Sequence, residues 1–524
     1  MRLPKSSSEV ETMAAVAVVA TLTTPLSPAL REIEDLPKGI TWLQVRADLA
    51  GDVSVSRLRS HFGGKLLYTL RASRREGNSQ GTERQRHARL LSAAQEFDLV
   101  ELESDDLLPD LLEAIPPQRR LISWRGAQTD VFTLRSTFER LAAIPASSYC
   151  LTTSATKARD GLELLLLLKS LGRKDVTAFC EGASGTWSRL LAPYFGSPFV
   201  FGQIGQSSER SGAPQIQRLI EDYGFPAIRP IRELYGIVGN RVFESASPRL
   251  HNSGYRSLNY PAMFVPFHVE RFEDFWRELV ESETLASLGV PIEGLTIVSP
   301  HKEAAVLFAG KSSPTVSQAA STNIFVRKNG IWEADTTDPE SVADLPGCPK
   351  TARRFKAAVV GCGGAGRAVA AALQQSGADV TLVNRGKERG DRAEKLLGLP
   401  FVLLSDFALR GFSLLVNATP VGREDDVLPF SMDSLNSDTL VVDLAYGQHP
   451  TPLVSEALAR GGTVVDGHDV LLTQVRKQFR MMVGKELPSI IGRNLAISGH
   501  SRHAFPMNLA SERLDCTGTS EWNS

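Results

Sequence analysis

At 524 residues the chain is too long for one ordinary domain, and it should divide into two to four. A hydrophobic fraction of 42% and a charged fraction of 22% exclude wholesale disorder. The 58 basic and 59 acidic residues leave a formal charge of -1, which gives no reason to expect nucleic acid or an anionic membrane as partner. Residues 1–12 read as a loose leader, with Met13 as an alternative start. The apolar run 14–22 (AAVAVVATL) is too short to cross a bilayer, follows Glu9 and Glu11, and lacks a cleavage pattern. It reads as a buried first strand. Further short runs rich in Val, Ile, Leu and Phe follow at 40–46, 65–70, 97–102, 120–124, 149–153, 176–180 and 199–204. Helical periodicity fills the intervals, as at 84–96 and 158–171. Eight strand–helix units over residues 13–230 predict a (β/α)8 barrel, with an open doubly wound sheet as the competing arrangement.

The rhythm changes after Pro230. Residues 231–350 predict a mixed α/β unit, completed by a helix near 468–484. Residues 351–467 predict a Rossmann unit, and 485–524 lose periodicity and read as a loose tail. Cys150, Cys180, Cys348, Cys362 and Cys516 are scattered, with no CxxC pair and no metal-like spacing. That pattern argues against a disulfide framework or a metal site and fits a reducing cytoplasm.

Gly361, Gly363 and Gly366 form a GxGxxG between a predicted strand (Ala357–Val360) and a predicted helix (Arg367–Gln374). The first glycine permits the turn, the second lets the backbone approach a pyrophosphate, and the third allows close helix–strand packing. The next strand (Asp379–Val383) ends in Asn384 and Arg385, where an NAD site usually places Asp or Glu. Arg385 offers a guanidinium to a 2′-phosphate, and Arg389 follows one helical turn later. NADP is therefore expected over NAD, and the plain alternative is a pair of surface arginines.

Several segments then become specific. GNRVFESASPRLHN (239–252), SPHKE (299–303), AASTN (319–323) and DTTD (335–338) precede the glycine loop GCGGAGRA (361–368) and NR (384–385). NATPVG (417–422), DLAY (443–446), TPL (451–453) and DG…Q (466–474) follow them. In content and order this series resembles the shikimate dehydrogenase family. The resemblance implies a catalytic pair, Lys302 and Asp338, in which the ammonium supplies the proton for ketone reduction and the carboxylate positions it. It implies Ser245, Ser247, Asn323, Tyr446 and Gln474 as substrate ligands. Gly361, Gly363, Gly364, Ala365, Gly366, Asn384, Arg385 and Arg389 would hold NADP, with Leu444 and Gly467 along the nicotinamide. His251 and His301 are expected to order loops. Glu244, Thr296, Val298 and Pro339 depart from the family pattern and are expected to weaken affinity or broaden it toward quinate.

The barrel resembles, more distantly, the type I dehydroquinate dehydratases. QVRAD (44–48), TLR…EGN (69–78), WSRLLAPYFGS (187–197) and SGAPQ (211–215) carry that likeness. Such enzymes form a Schiff base on a strand-end lysine, with a histidine shuttling the proton. Here the alignment puts Cys150 at the lysine, Arg125 at the histidine and Gln44 at an acidic position. No histidine occurs between His87 and His251, and Lys157 is the sole lysine near the sixth strand. Arg46, Arg71, Glu76, Arg189, Ser211 and Gln215 remain as an anion site that binds without converting. The leading expectation is a cytoplasmic NADP-dependent shikimate dehydrogenase fused to an impaired barrel, its partners being 3-dehydroshikimate, shikimate and at most 3-dehydroquinate. A fully bifunctional enzyme and a non-catalytic scaffold that binds the same acids are the alternatives.

Overall fold

The computed structural model describes residues 16–72, 82–205, 212–339, 342, 355–447 and 449–492. The chain opens with β1 (Ala17–Leu22), β2 (Ile40–Arg46), β3 (Lys65–Thr69), β4 (Leu99–Glu103), β5 (Arg120–Gly126), β6 (Ser148–Ser154), β7 (Val176–Glu181) and β8 (Phe199–Gln203). They pair in parallel in the order β7-β6-β5-β4-β3-β2-β1-β8. A doubly wound sheet reverses direction at its centre, whereas here the last strand lies beside the first. That is the order of a barrel. Among the described residues β7 and β8 share no ladder, and the Phe179 and Phe201 rings lie 6.2 Å apart across this seam. Val19, Leu67, Leu99, Leu121, Cys150, Phe179, Phe199 and Phe201 pack inside as an apolar plug. Helices cover the outside, among them Glu83–Glu96, which begins in a capping box between Thr82 and Gln85.

A second, mixed sheet follows: β9 (Glu233–Gly239), β10 (Ala262–His268), β11 (Ile292–Ile297), β12 (Lys311–Ser312), β13 (Ile324–Lys328) and β14 (Ile331–Asp335), in the order β10-β9-β11-β13-β14-β12. The helix Gly467–Val483 returns to it, burying Leu471, Val475 and Phe479 among Tyr235, Tyr255 and Phe264. The barrel and this sheet share one continuous apolar core, in which the fully buried Trp187 ring lies 5.6 Å from that of Phe267 in β10.

The third sheet is parallel: β15 (Lys356–Val360), β16 (Asp379–Asn384), β17 (Phe401–Leu403), β18 (Leu414–Asn417), β19 (Leu440–Asp443) and β20 (Thr463–Val465). Its order, β17-β16-β15-β18-β19-β20, reverses between β15 and β18. That switch point opens a crevice beyond the strand C-termini, and the glycine turn enters it. Among the described residues no helix is long and apolar enough to cross a membrane.

Candidate functional site

Lys302 lies in the turn after β11, Asp338 just beyond β14, Asn323 just before β13, and Gln474 on the helix Gly467–Val483. The fold brings these four together. Lys302 Nζ donates to Asp338 Oδ2 at 2.8 Å and to Oδ1 at 3.1 Å. Asn323 Nδ2 and Gln474 Nε2 each donate to the same Oδ1 at 2.9 Å. A buried carboxylate needs such donors in place of water, and Asp338 is only 1% exposed. Ser245 and Ser247 form a second buried group: Ser245 Oγ donates to Ser247 Oγ and accepts from the Ser247 N–H, both at 3.1 Å.

Ser245 and Tyr446 line a cavity of about 850 Å³, together with Glu244, Arg423 and His468. Lys302, Asp338, Asn323 and Gln474 are not on that lining, so the structure brings these four to one another and not onto the cavity that Ser245 and Tyr446 border. His251 is buried against Phe264, its ring stacked at 4.2 Å, and burial pulls its pKa down to about 3. His301 is also buried, with Nε2 hydrogen-bonded to the Val269 carbonyl at 2.7 Å.

The glycine turn packs as the close-approach argument requires. Gly361 has φ +106°, and a Cβ on Gly366 would lie 1.8 Å from the Gly361 carbonyl oxygen. A Cβ on Gly364 would lie 2.3 Å from Ser321 Oγ and 3.0 Å from Lys302 Cβ. Gly363 alone of these faces open space, with nothing within 4 Å of a Cβ built there. It caps the helix Gly364–Gln375 without a side-chain partner, so the amides of its first turn, from Gly364 and Ala365 onward, have no side-chain cap. Asn384 Oδ1 accepts from the Cys362 N–H at 3.2 Å, and Arg385 and Arg389 are exposed beyond it. A dinucleotide pyrophosphate suits this open, uncapped helix start, and the two exposed guanidinium groups suit a 2′-phosphate. Leu444 is half-buried, and a Cβ on Gly467 would meet the Ala445 carbonyl oxygen at 2.3 Å.

Arg367 was not singled out by sequence reasoning. It is 3% exposed, donates to the Ala319 carbonyl at 2.9 Å, and pairs with Glu303 at 3.2 Å. It thereby ties the glycine-turn helix to both neighbouring motifs. Its position inside GCGGAGRA was the available signal.

The barrel holds a separate cavity of about 350 Å³, lined by Gln44, Arg46, Arg71, Glu101, Arg125, Cys150, Glu181 and Arg189 among others. Gln215 is not among them. It lines the larger cavity instead, although its backbone bridges to Gln203, which lines the barrel cavity. Ala213 lines both cavities. Glu76 and Ser211 lie outside the described residues.

Around the barrel wall a hydrogen-bonded chain runs from Thr21 to Gln44 (2.9 Å), to Thr69 (2.8 Å) and to Glu101 (2.6 Å). Arg125 pairs with Glu101 at 2.7 Å, Arg71 with Glu181 at 2.9 Å, and Arg46 with Asp48 at 2.7 Å. Burial favours the neutral acids, but Arg125 and Arg71 outweigh it and hold both Glu101 and Glu181 down at about 2. Burial, helped by Glu101 and Glu181, pushes the Cys150 thiol up to about 12, and burial, helped by Arg71, lowers Arg189 to about 10. The two cavity glutamates, Glu101 and Glu181, escaped sequence reasoning. Alternation in LVELE was the signal, since Glu101 and Glu103 must share one face of β4. Lys157 points away from the cavity, with Nζ 2.9 Å from Glu278 and 3.8 Å from Asp274 of the other half.

Comparison with known proteins divides the chain in the same way. The type I 3-dehydroquinase family matches residues 16–230, and the shikimate dehydrogenase substrate binding domain matches residues 237–325. The chain is 28% identical to the chloroplastic bifunctional 3-dehydroquinate dehydratase/shikimate dehydrogenase of Arabidopsis thaliana over 334 residues, 59% of this chain. That match spans 53% of the plant protein, about half its length. The chain is 34% identical to the shikimate dehydrogenase (NADP(+)) of Haloarcula marismortui over 261 residues, 49% of this chain and 95% of that one. The structure of dehydroquinate dehydratase and shikimate dehydrogenase from S. pombe aligns at 19% identity and a TM-score of 0.41, over 93% of this chain and 99% of that one.

Proposed function

The chain belongs to the shikimate dehydrogenase family, and from that premise we propose that it interconverts 3-dehydroshikimate and shikimate with NADP in the shikimate pathway. The observation that carries this reading is the contact between Lys302, bonded to both oxygens of Asp338, and the glycine turn, where Gly364 abuts Lys302 Cβ. That contact sets a proton donor beside the cofactor loop. The nicotinamide, when bound, supplies the hydride. Lys302 holds the proton that the ketone oxygen receives, and Asp338 keeps Nζ in place and accepts from a ring hydroxyl. Asn323 and Gln474 orient Asp338, and together with Ser245, Ser247 and Tyr446 they supply the amides and hydroxyls for the substrate's carboxylate and ring hydroxyls. Gly363 leaves room for the pyrophosphate, Arg385 and Arg389 take the 2′-phosphate, and Leu444 and Gly467 flank the nicotinamide.

The domain bounds we assign are 13–230 for the barrel, 231–350 for the substrate unit with the helix near 468–484, and 351–467 for the cofactor unit. In the barrel, Arg46, Arg71 and Arg189 line a cavity that suits a cyclic carboxylate, no lysine is among the described residues lining it, and the resemblance aligns Cys150 with the Schiff-base lysine. We therefore assign the barrel binding without dehydration. The family match over residues 16–230 favours a second reading, a working dehydratase. Buried free thiols at Cys150, Cys180 and Cys362 suit a reducing cytoplasm. The test is to assay purified protein with dehydroshikimate plus NADPH, and separately with dehydroquinate alone. Turnover in the first assay only is expected. None in the first removes the dehydrogenase reading, and turnover in the second installs the bifunctional one.

A further inference from the structure

The loop that carries Ser245 is held from the barrel side. After β8 the chain bridges back at Gln215, where the Gln203 N–H donates to the Pro214 carbonyl at 2.9 Å, and enters the helix Ile216–Glu221. Ile216 and Leu219 are fully buried, and a Cβ on Gly202 of β8 would lie 2.8 Å from Leu219 Cδ1. The helix therefore sits directly on the barrel wall. From this fixed base Arg218 points toward the second sheet. Its Nη2 donates to the Ser245 carbonyl oxygen at 2.7 Å, and its Nε donates to Asp222 Oδ2 at 2.5 Å. Asp222 is fully buried, and its other oxygen accepts from Arg249 Nε at 2.7 Å. Within its own loop the Ser245 backbone has only a long bond, from its N–H to the Val242 carbonyl at 3.4 Å. The guanidinium fork thus makes the short, charge-assisted bond at Ser245, and it holds a residue that lines the cavity.

We infer that Arg218, contributed by the barrel half, is a positioning residue for the substrate serines, so that the barrel completes the dehydrogenase site without supplying chemistry to it. The inference rests on the reading of Ser245 as a substrate ligand. A positioning residue acts on substrate affinity. Arg218→Ala is expected to raise KM for dehydroshikimate about tenfold, with kcat and the KM for NADPH changed less than about twofold. Arg218→Lys keeps a charge beside Asp222 but cannot fork to both acceptors, and its KM should fall between the two.

Arg256 serves as the interface control. It donates from the helix Ser247–Ser257 to the Glu221 carbonyl at 3.0 Å, crossing the same junction without touching Ser245. Arg256→Ala should lower the thermal midpoint and leave KM unchanged. Steady-state kinetics of the full chain with Ser245→Ala in parallel decides the matter. If Ser245→Ala raises KM and Arg218→Ala does not, the positioning role is overturned while the substrate reading stands. If Ser245→Ala leaves KM unchanged, the substrate reading fails first. An equal KM rise in Arg256→Ala overturns the inference by showing a general loosening of the junction. Should Arg218→Ala not fold, a wild-type KM in Arg218→Lys overturns it equally.

Discussion

Glu244 Oε2 accepts from Arg423 Nη2 at 2.7 Å, joining the serine loop to the loop that follows β18, and the Arg423 guanidinium lies 5.5 Å from the Tyr446 ring centroid. The residue that departs from the family pattern at position 244 is thus one side of a bridge between the second and third sheets. Both partners are partly exposed, so the bridge is worth no more than about 1 kcal/mol and is screened by salt. KM for dehydroshikimate should rise between about 50 mM and about 500 mM salt in the wild type, and Glu244→Gln should flatten that rise. Parallel salt curves for the two proteins would remove the bridge from function.

Lys302→Ala should lower kcat by ~10²–10⁴-fold, the usual contribution of a general acid. Calorimetric NADPH affinity should stay near wild type, because Lys302 meets the glycine turn through Cβ, which alanine retains. Turnover within about fivefold of wild type would place the proton source elsewhere.

Arg385→Asp should move preference from NADP toward NAD. A charged hydrogen bond to phosphate contributes about 1.5–3 kcal/mol, and the acid would add repulsion while accepting from a ribose hydroxyl. Arg385 is exposed at the end of β16, so the exchange should leave the thermal midpoint unchanged. Equal affinity ratios before and after would mean that Arg385 faces solvent when cofactor binds.

What was legible in the chain followed from local pattern. Short apolar runs at regular spacing announced β1 to β8, because strands buried on both faces need apolar residues throughout. Ordered motifs brought Lys302, Asp338, Asn323 and Gln474 to notice, and the fold assembles them. Long-range pairing was not legible. Lys157 meets Glu278 more than a hundred residues away, and Arg218 meets Ser245 across a junction whose geometry no single segment encodes. The resemblance of SGAPQ to a family motif put Gln215 at the barrel cavity, whereas in the fold it lines the other one.

Borohydride trapping in the presence of dehydroquinate should leave no adduct on any barrel lysine. Those lysines are Lys5, Lys38, Lys65, Lys157, Lys169 and Lys174. Lys5 precedes the barrel and lies outside the described residues; none of the other five lines the barrel cavity, and Lys157, the candidate by sequence, is ion-paired on the outside. Peptide mapping by mass spectrometry reads the result. An adduct on Lys157 would require that side chain to leave Glu278 and reach the mouth.

Stability should fall on mild acidification because of His251. Its native pKa is held near 3 by burial, against 6.5 in an open chain, so below 6.5 the unfolded state binds the extra proton. The lost stability grows as pH drops toward 3, at up to about 1.4 kcal/mol per pH unit. Glu101 and Glu181 act in the same direction only below 4.5, where the unfolded carboxylates begin to protonate while the native ones resist down to about 2. His251→Phe should therefore flatten the urea midpoint between pH 6.5 and about 5 and leave the steeper acid limb in place. An unchanged slope in that interval would assign it to other groups.

Ala213 is a party wall. One methyl-bearing residue borders both the barrel cavity and the cavity that reaches Ser245. Volume there is shared: a larger side chain, or a ligand that presses the wall outward from the barrel, takes its room from the neighbour. Two compartments that border one residue cannot change independently at that point, whatever chemistry the barrel performs.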